Sequence, residues 1–200
     1  MTYGVNAPLG LQAASYGISA PWTGGFQVFP ITANYGTSLF LGDLVTFTNG
    51  QLVRYNTSGS STIPAGVFWG CTFTDPSGIV QIQKYWPAAQ AVKVGTTPVA
   101  NVIVDPNTVF SIQSSAAFAW SNLDKNFDVT FATAGNPSTG ESGMMLDYSS
   151  VGTTATLPLH AIAFDPIPGN APAVGGTSVS FANILVKLNN TTINAGSTGV

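Results

Sequence analysis

The chain has 200 residues, of which 6% are charged: 5 Lys or Arg against 8 Asp or Glu. An ordinary globular domain carries about 25% charge, so little remains here for charge-driven recognition. That excludes nucleic-acid binding through a basic face and polybasic membrane attachment. With 44% hydrophobic residues, charge-driven disorder is excluded as well.

The length suits one domain with an appendage. No basic segment followed by a long apolar stretch opens the chain, so no signal peptide is expected. No window approaches the ~18 apolar residues of a membrane span. Cys71 is the single cysteine, which excludes an intrachain disulfide framework and suits synthesis in a reducing cytoplasm. Its apolar neighbours predict a small buried core residue.

Residues 1–25 carry no charged side chain, and Gly, Pro, Ala and Ser break any periodicity. They read as an extended N-terminal arm. The alternative is a strand and loop packed on the chain's own domain. Tyr3, Tyr16 and Trp22 are spaced too widely to build a helix face, and they are the arm's candidate contact residues.

From residue 26 to 188 the pattern is that of a single β domain. A strand is predicted at 26–31, followed by a connection at 36–42. Asn49-Gly50 then separates two β-rich runs, 44–48 and 51–55. Asn-Gly supplies the two positive-φ residues of a type I′ hairpin turn. Such a turn places Thr48 opposite Gln51, Phe47 opposite Leu52 and Val45 opposite Arg54.

The apolar run at 67–73 reads as a buried strand, with its return arm at 79–83. Further strands are predicted at 91–94, 100–104, 109–113, 127–132, 144–148, 157–164 and 179–188. Residues 114–126 are the one helical candidate, and a short one. Asp-Pro turns recur at Asp75-Pro76, Asp105-Pro106 and Asp165-Pro166. The Asn/Thr/Gly-rich residues 189–200 read as a flexible tail. Strands at this spacing predict an all-β fold: an antiparallel β-barrel or β-sandwich.

Chemistry finds little support. His160 is the only histidine, and no Gly-x-Ser-x-Gly elbow accompanies it. A strand histidine satisfied by a backbone carbonyl is the expected reading. One Cys and one His exclude a zinc site, and Asp124 and Asp128 read as a solvated turn rather than a calcium loop. No glycine-rich phosphate loop is present. No catalytic residue, cofactor or metal is therefore assigned.

Lys84-Tyr85-Trp86-Pro87 stands out. Exposed, Tyr85, Trp86 and Pro87 form an interface anchor or a sugar-stacking platform. The alternative is a hairpin corner tucked over the end of the β domain.

Several ordered segments carry a resemblance. Leu39-Phe40-Leu41-Gly42-Asp43-Leu44-Val45 resembles the "LFkGDpV" stretch of tailed-bacteriophage head decoration, cement or minor capsid proteins. Gly66-Val67-Phe68-Trp69-Gly70-Cys71-Thr72-Phe73 resembles that family's "GvfvGcsyt" strand, and Tyr85-Trp86-Pro87-Ala88 its "yWPa" corner. The run from Val104 to Gln113 resembles "dDPnavFevQ", with Val104 and Leu44 as departures. The segments 126–129, 138–142 and 146–147 follow in the family's order.

The resemblance, over roughly residues 26–190, implies a non-enzymatic virion protein on the capsid exterior, made in the host cytoplasm. Its implied partners are the major capsid protein and further copies of itself, as dimer or trimer with the trimer favoured. Neither nucleic acid nor membrane is expected as a partner. The alternative is a carbohydrate-binding β-sandwich, such as a phage tail or fibre adhesin, using exposed aromatics.

Overall fold

The Asn-Gly hairpin forms as its sequence dictates. Asn49 and Gly50 take φ of 50° and 77°, which a type I′ turn requires. The register pairs Thr48 with Gln51, Phe47 with Leu52 and Val45 with Arg54. These details come from a computed structural model that describes residues 4–17, 20–56, 62–173, 176–192, 196 and 198–199.

Two antiparallel sheets pack together in an all-β fold. The smaller one contains β3 (Gln27–Pro30), β4 (Leu44–Thr48), β5 (Gln51–Arg54), β6 (Gly66–Thr74), β7 (Val80–Gln83) and β8 (Val99–Ile103). Its order is β3-β8-β6-β4-β5, with β7 added beside β6. The larger one contains β1 (Gln12–Tyr16), β2 (Ala20–Pro21), β9 (Thr108–Gln113), β10 (Asn126–Thr130), β11 (Met145–Gly152), β12 (Leu159–Phe164) and β13 (Asn183–Leu188). Its order is β11-β10-β12-β13-β9-β1-β2.

Of the two architectures expected, the sandwich is the one formed. Each sheet nevertheless curls until distant strands touch. Ile31, just past β3, makes a parallel bridge to Leu52 on β5. Ser114, just past β9, does the same with Leu146 on β11. Each contact is an isolated bridge, so neither ladder closes into a barrel.

Where β4, β6 and β8 meet, consecutive apolar residues (Leu44-Val45, Val67-Phe68 and Val102-Ile103) are buried on both faces. Leu44, Val67 and Ile103 join the core shared with the larger sheet. Their chain neighbours Val45, Phe68 and Val102 point into a second core inside the curled smaller sheet. Strand alternation alone makes this division.

Four expectations are corrected. First, residues 114–126 form no helix, only a 3₁₀ turn at Trp120–Asn122. The segment is captured by distant strands: the N–H groups of Ser114, Ser115 and Phe118 donate to the carbonyls of Ala182, Leu146 and Val179. Phe118 is fully buried against Phe127 and Phe164. Tertiary pairing thus overrides a weak helical preference.

Second, no strand forms at 91–94, where Val94 is 97% exposed. Third, the described residues of 11–21 follow the alternative to an extended arm, a strand packed on the chain's own domain. Leu11 is buried in the core shared by the sheets, β1 pairs with β9, and β2 folds back on β1. Fourth, the tail begins anchored. The Asn189 N–H donates to the Pro158 carbonyl at 2.7 Å, and the Thr192 N–H to the Pro64 carbonyl at 3.0 Å.

Candidate functional site

The predicted contact residues scatter over the molecule. Tyr3 lies outside the described residues. Tyr16, at the end of β1, is exposed. Trp22 is half-buried and meets Trp69 edge-on, with ring centroids 4.9 Å apart. Tyr85 is half-buried and stacks on Phe40 at 5.4 Å, and Pro87 is half-buried beside it.

Trp86 contradicts its predicted role, for it is fully buried. It packs edge-on against Phe73 at 5.3 Å. Its backbone N–H and C=O both pair with Leu39, which fixes the ring inward. Its indole N–H is buried without an acceptor among the described residues. A tryptophan so enclosed can neither anchor a partner nor stack on a sugar.

The corner belongs instead to a structural node around Asp43. This carboxylate, 2% exposed, accepts the Phe40 N–H at 2.8 Å and the Ser142 hydroxyl proton. The Ser142 oxygen in turn accepts the Met144 N–H at 3.0 Å. Burial raises the Asp43 pKa to about 6, although these donors favour the ionised form.

Backbone bonds complete the node. The Leu41 N–H donates to the Gly140 carbonyl, and the Ser142 N–H to the Leu41 carbonyl. The Gly42 N–H donates to the Phe68 carbonyl, and the Leu11 N–H to the Gly42 carbonyl. Gly42 has φ +92°, and a Cβ there would lie 2.9 Å from the Leu9 carbonyl oxygen. Only glycine fits. Segments at 39–45, 66–73, 85–87 and 138–142, remote in sequence, therefore converge in space.

The remaining candidates are occupied or enclosed. The His160 ring nitrogens face the Asn126 carboxamide oxygen at 2.7 Å and the Asp124 carboxylate at 3.2 Å. These side-chain oxygens, not a backbone carbonyl, partner the ring, leaving no nitrogen to serve a hydroxyl nucleophile. Asp128 is half-buried rather than solvated, hydrogen-bonded to Tyr55, and burial raises its pKa. Cys71 is buried as expected. Burial pushes its thiol up to about 12, far from the thiolate that reactivity needs.

The sequence reading missed the outer face of β7 and its neighbours. Val80 and Ile82 are 63% and 80% exposed, and Ile79 precedes them equally open. Cross-strand pairing sets Val80 beside Thr74, and Ile82 beside Thr72, which also pairs with Val99 on β8. Directly opposed residues share a face. The result is an uncharged row of Val, Ile and Thr side chains across three strands. Among the described residues β7 pairs only with β6, so its other edge offers unpaired backbone groups.

The signal was present in Val80-Gln81-Ile82-Gln83. Alternation of this kind normally turns its apolar face to the core; here it is the face turned to solvent. Comparison of the chain with protein-family models, curated proteins and solved structures finds no match.

Proposed function

We propose that this protein is a non-enzymatic structural virion protein that binds the outer surface of a phage head and cements neighbouring capsomers. The observation that carries this reading is the uncharged outer face of β7, β6 and β8, with its free strand edge. Monomeric soluble proteins rarely leave such a surface uncovered. An edge with unpaired N–H and C=O groups also suits strand addition, where main-chain hydrogen bonds supply affinity. The low charge of the chain makes such contact insensitive to salt.

The proposed partners are the major capsid protein and further copies of this chain in a closed dimer or trimer, the trimer being the one the resemblance favours. The segments that carry the resemblance, 39–45, 66–73, 85–87 and 138–142, converge around Asp43 as one structural unit. The sugar-binding alternative loses its platform with the burial of Trp86.

Binding to purified phage heads tests the proposal. The protein is expected to saturate head sites, and Ile82→Lys to weaken binding about tenfold or more by placing an uncompensated charge in a dry contact. Heads that bind none of the intact protein, with virions lacking it by mass spectrometry, would overturn the assignment. Unchanged binding by Ile82→Lys would remove this face from it.

A further inference from the structure

A second surface feature lies away from β7, at the far end of the hairpin. Arg54, the only arginine of the chain, closes β5 beside a cleft of about 280 Å³ lined by Tyr35, Thr37, Arg54, Tyr55, Asn56 and Phe131. Its guanidinium carbon sits 4.7 Å from the Phe131 ring centroid. That cation–π contact holds the head over the ring. Arg54 makes no salt bridge among the described residues.

The cleft is rich in donors. The Tyr35 hydroxyl oxygen accepts the Arg54 backbone N–H at 3.1 Å, which leaves the hydroxyl proton for another acceptor. The Thr37 hydroxyl and the Arg54 guanidinium likewise find no acceptor among the described residues. The acids in the neighbourhood are otherwise engaged. Asp128 accepts from Tyr55 and from the Val129 N–H, and Asp43, buried in its own node, feels the Arg54 charge without forming an ion pair with it.

We infer that this cleft binds an oxyanion, the carboxylate or phosphate end of a small ligand, with Arg54 as its anchor. Three half-buried donors with no acceptor among the described residues call for a group that is acceptor only, and a guanidinium edge matches either anion bidentately. The volume, near the ~300 Å³ lower bound of small-molecule pockets, suits one compact group. This site is independent of head binding.

The test is an amide NMR titration of the full chain with inorganic phosphate, with acetate, and with glucose as neutral control, at constant ionic strength set by chloride. Saturable shifts at Arg54, Tyr55 and Phe131 are expected with an anion and not with glucose. Tighter phosphate binding identifies a phosphate ligand, tighter acetate binding a carboxylate. Arg54→Gln is expected to weaken the tighter anion about tenfold or more. Thr37→Val, on a separate segment and without loss of charge, is expected to weaken it several-fold. Glucose binding as well as the anions, an absence of saturable shifts, or wild-type affinity in both variants would overturn the proposal.

Discussion

The two ends of β6 have opposite surroundings. At Val67 and Phe68 the strand is enclosed on both faces, by the larger sheet on one side and the inner core of its own sheet on the other. At Thr72 and Thr74 only one face is enclosed: Phe73 stays buried, while its neighbours and the paired β7 side chains look outward. A register shift between β6 and β8, spanning Phe68 to Cys71, separates the two regions. β6 carries no polar side chain from Gly66 to Cys71 and alternates in Thr72-Phe73-Thr74, yet Val80 and Ile82 beside the open end are as apolar as the enclosed residues. Coverage by the other sheet, not local preference, decides which apolar side chains are core and which are available surface.

The largest expected effect breaks the enclosed end. Phe68→Ala should cost about 3–5 kcal/mol, because a fully buried phenyl group leaves a cavity that its neighbours only partly fill. Denaturant unfolding at constant pH measures it. A loss below about 1 kcal/mol would mean that the inner core relaxes around the gap.

Next comes the pH response of the node that holds this end, since the Phe68 N–H donates to the Asp43 carbonyl. The folded-state pKa of Asp43 is about 6, above the unfolded value of 3.8, so the folded state holds the proton more tightly. The resulting stability is fully present below pH 3.8 and is lost as pH rises through 6. The shift corresponds to about 3 kcal/mol. Comparing the stabilities of the protein and Asp43→Asn from pH 4 to 7 isolates it: the stability of the protein relative to the variant should fall by up to about 3 kcal/mol as pH rises across that window. A pH-independent difference would show that the donors, not burial, control the carboxylate.

The smallest effect sharpens the contrast at the open end. Ile82→Lys should change stability by no more than about 0.5 kcal/mol, as exposed substitutions usually do. A larger loss in the isolated protein would show that the side chain is covered in solution, as in a self-associated form, which sedimentation would detect.

Legibility in the sequence followed the range of the determining contacts. The Asn49-Gly50 turn and its register were readable because two adjacent residues specify them. The double burial of β6 was readable from its unbroken apolar run. β1 was readable only as the alternative to an arm, because Gln12-Ala13-Ala14-Ser15-Tyr16 has no apolar alternation and owes its strand geometry to β9. Trp86 was misplaced for the same reason: Lys84 and Pro87 signal a corner, whereas the burial comes from Leu39 and Phe73. The cleft at Arg54 escaped notice because Tyr35, Arg54 and Phe131 meet only in three dimensions.

The order of the larger sheet also constrains when the molecule can be finished. Among the described residues β13 follows every other strand, yet it lies between β12 and β9. β1 precedes them all and must wait for β9. A ribosome-bound chain that has emerged through β12 can therefore assemble the smaller sheet but not the larger one, whose central seam is still missing. Such long-range pairing slows folding and leaves strand edges exposed in the interval. The interval closes only when β13 is inserted and joins the two halves.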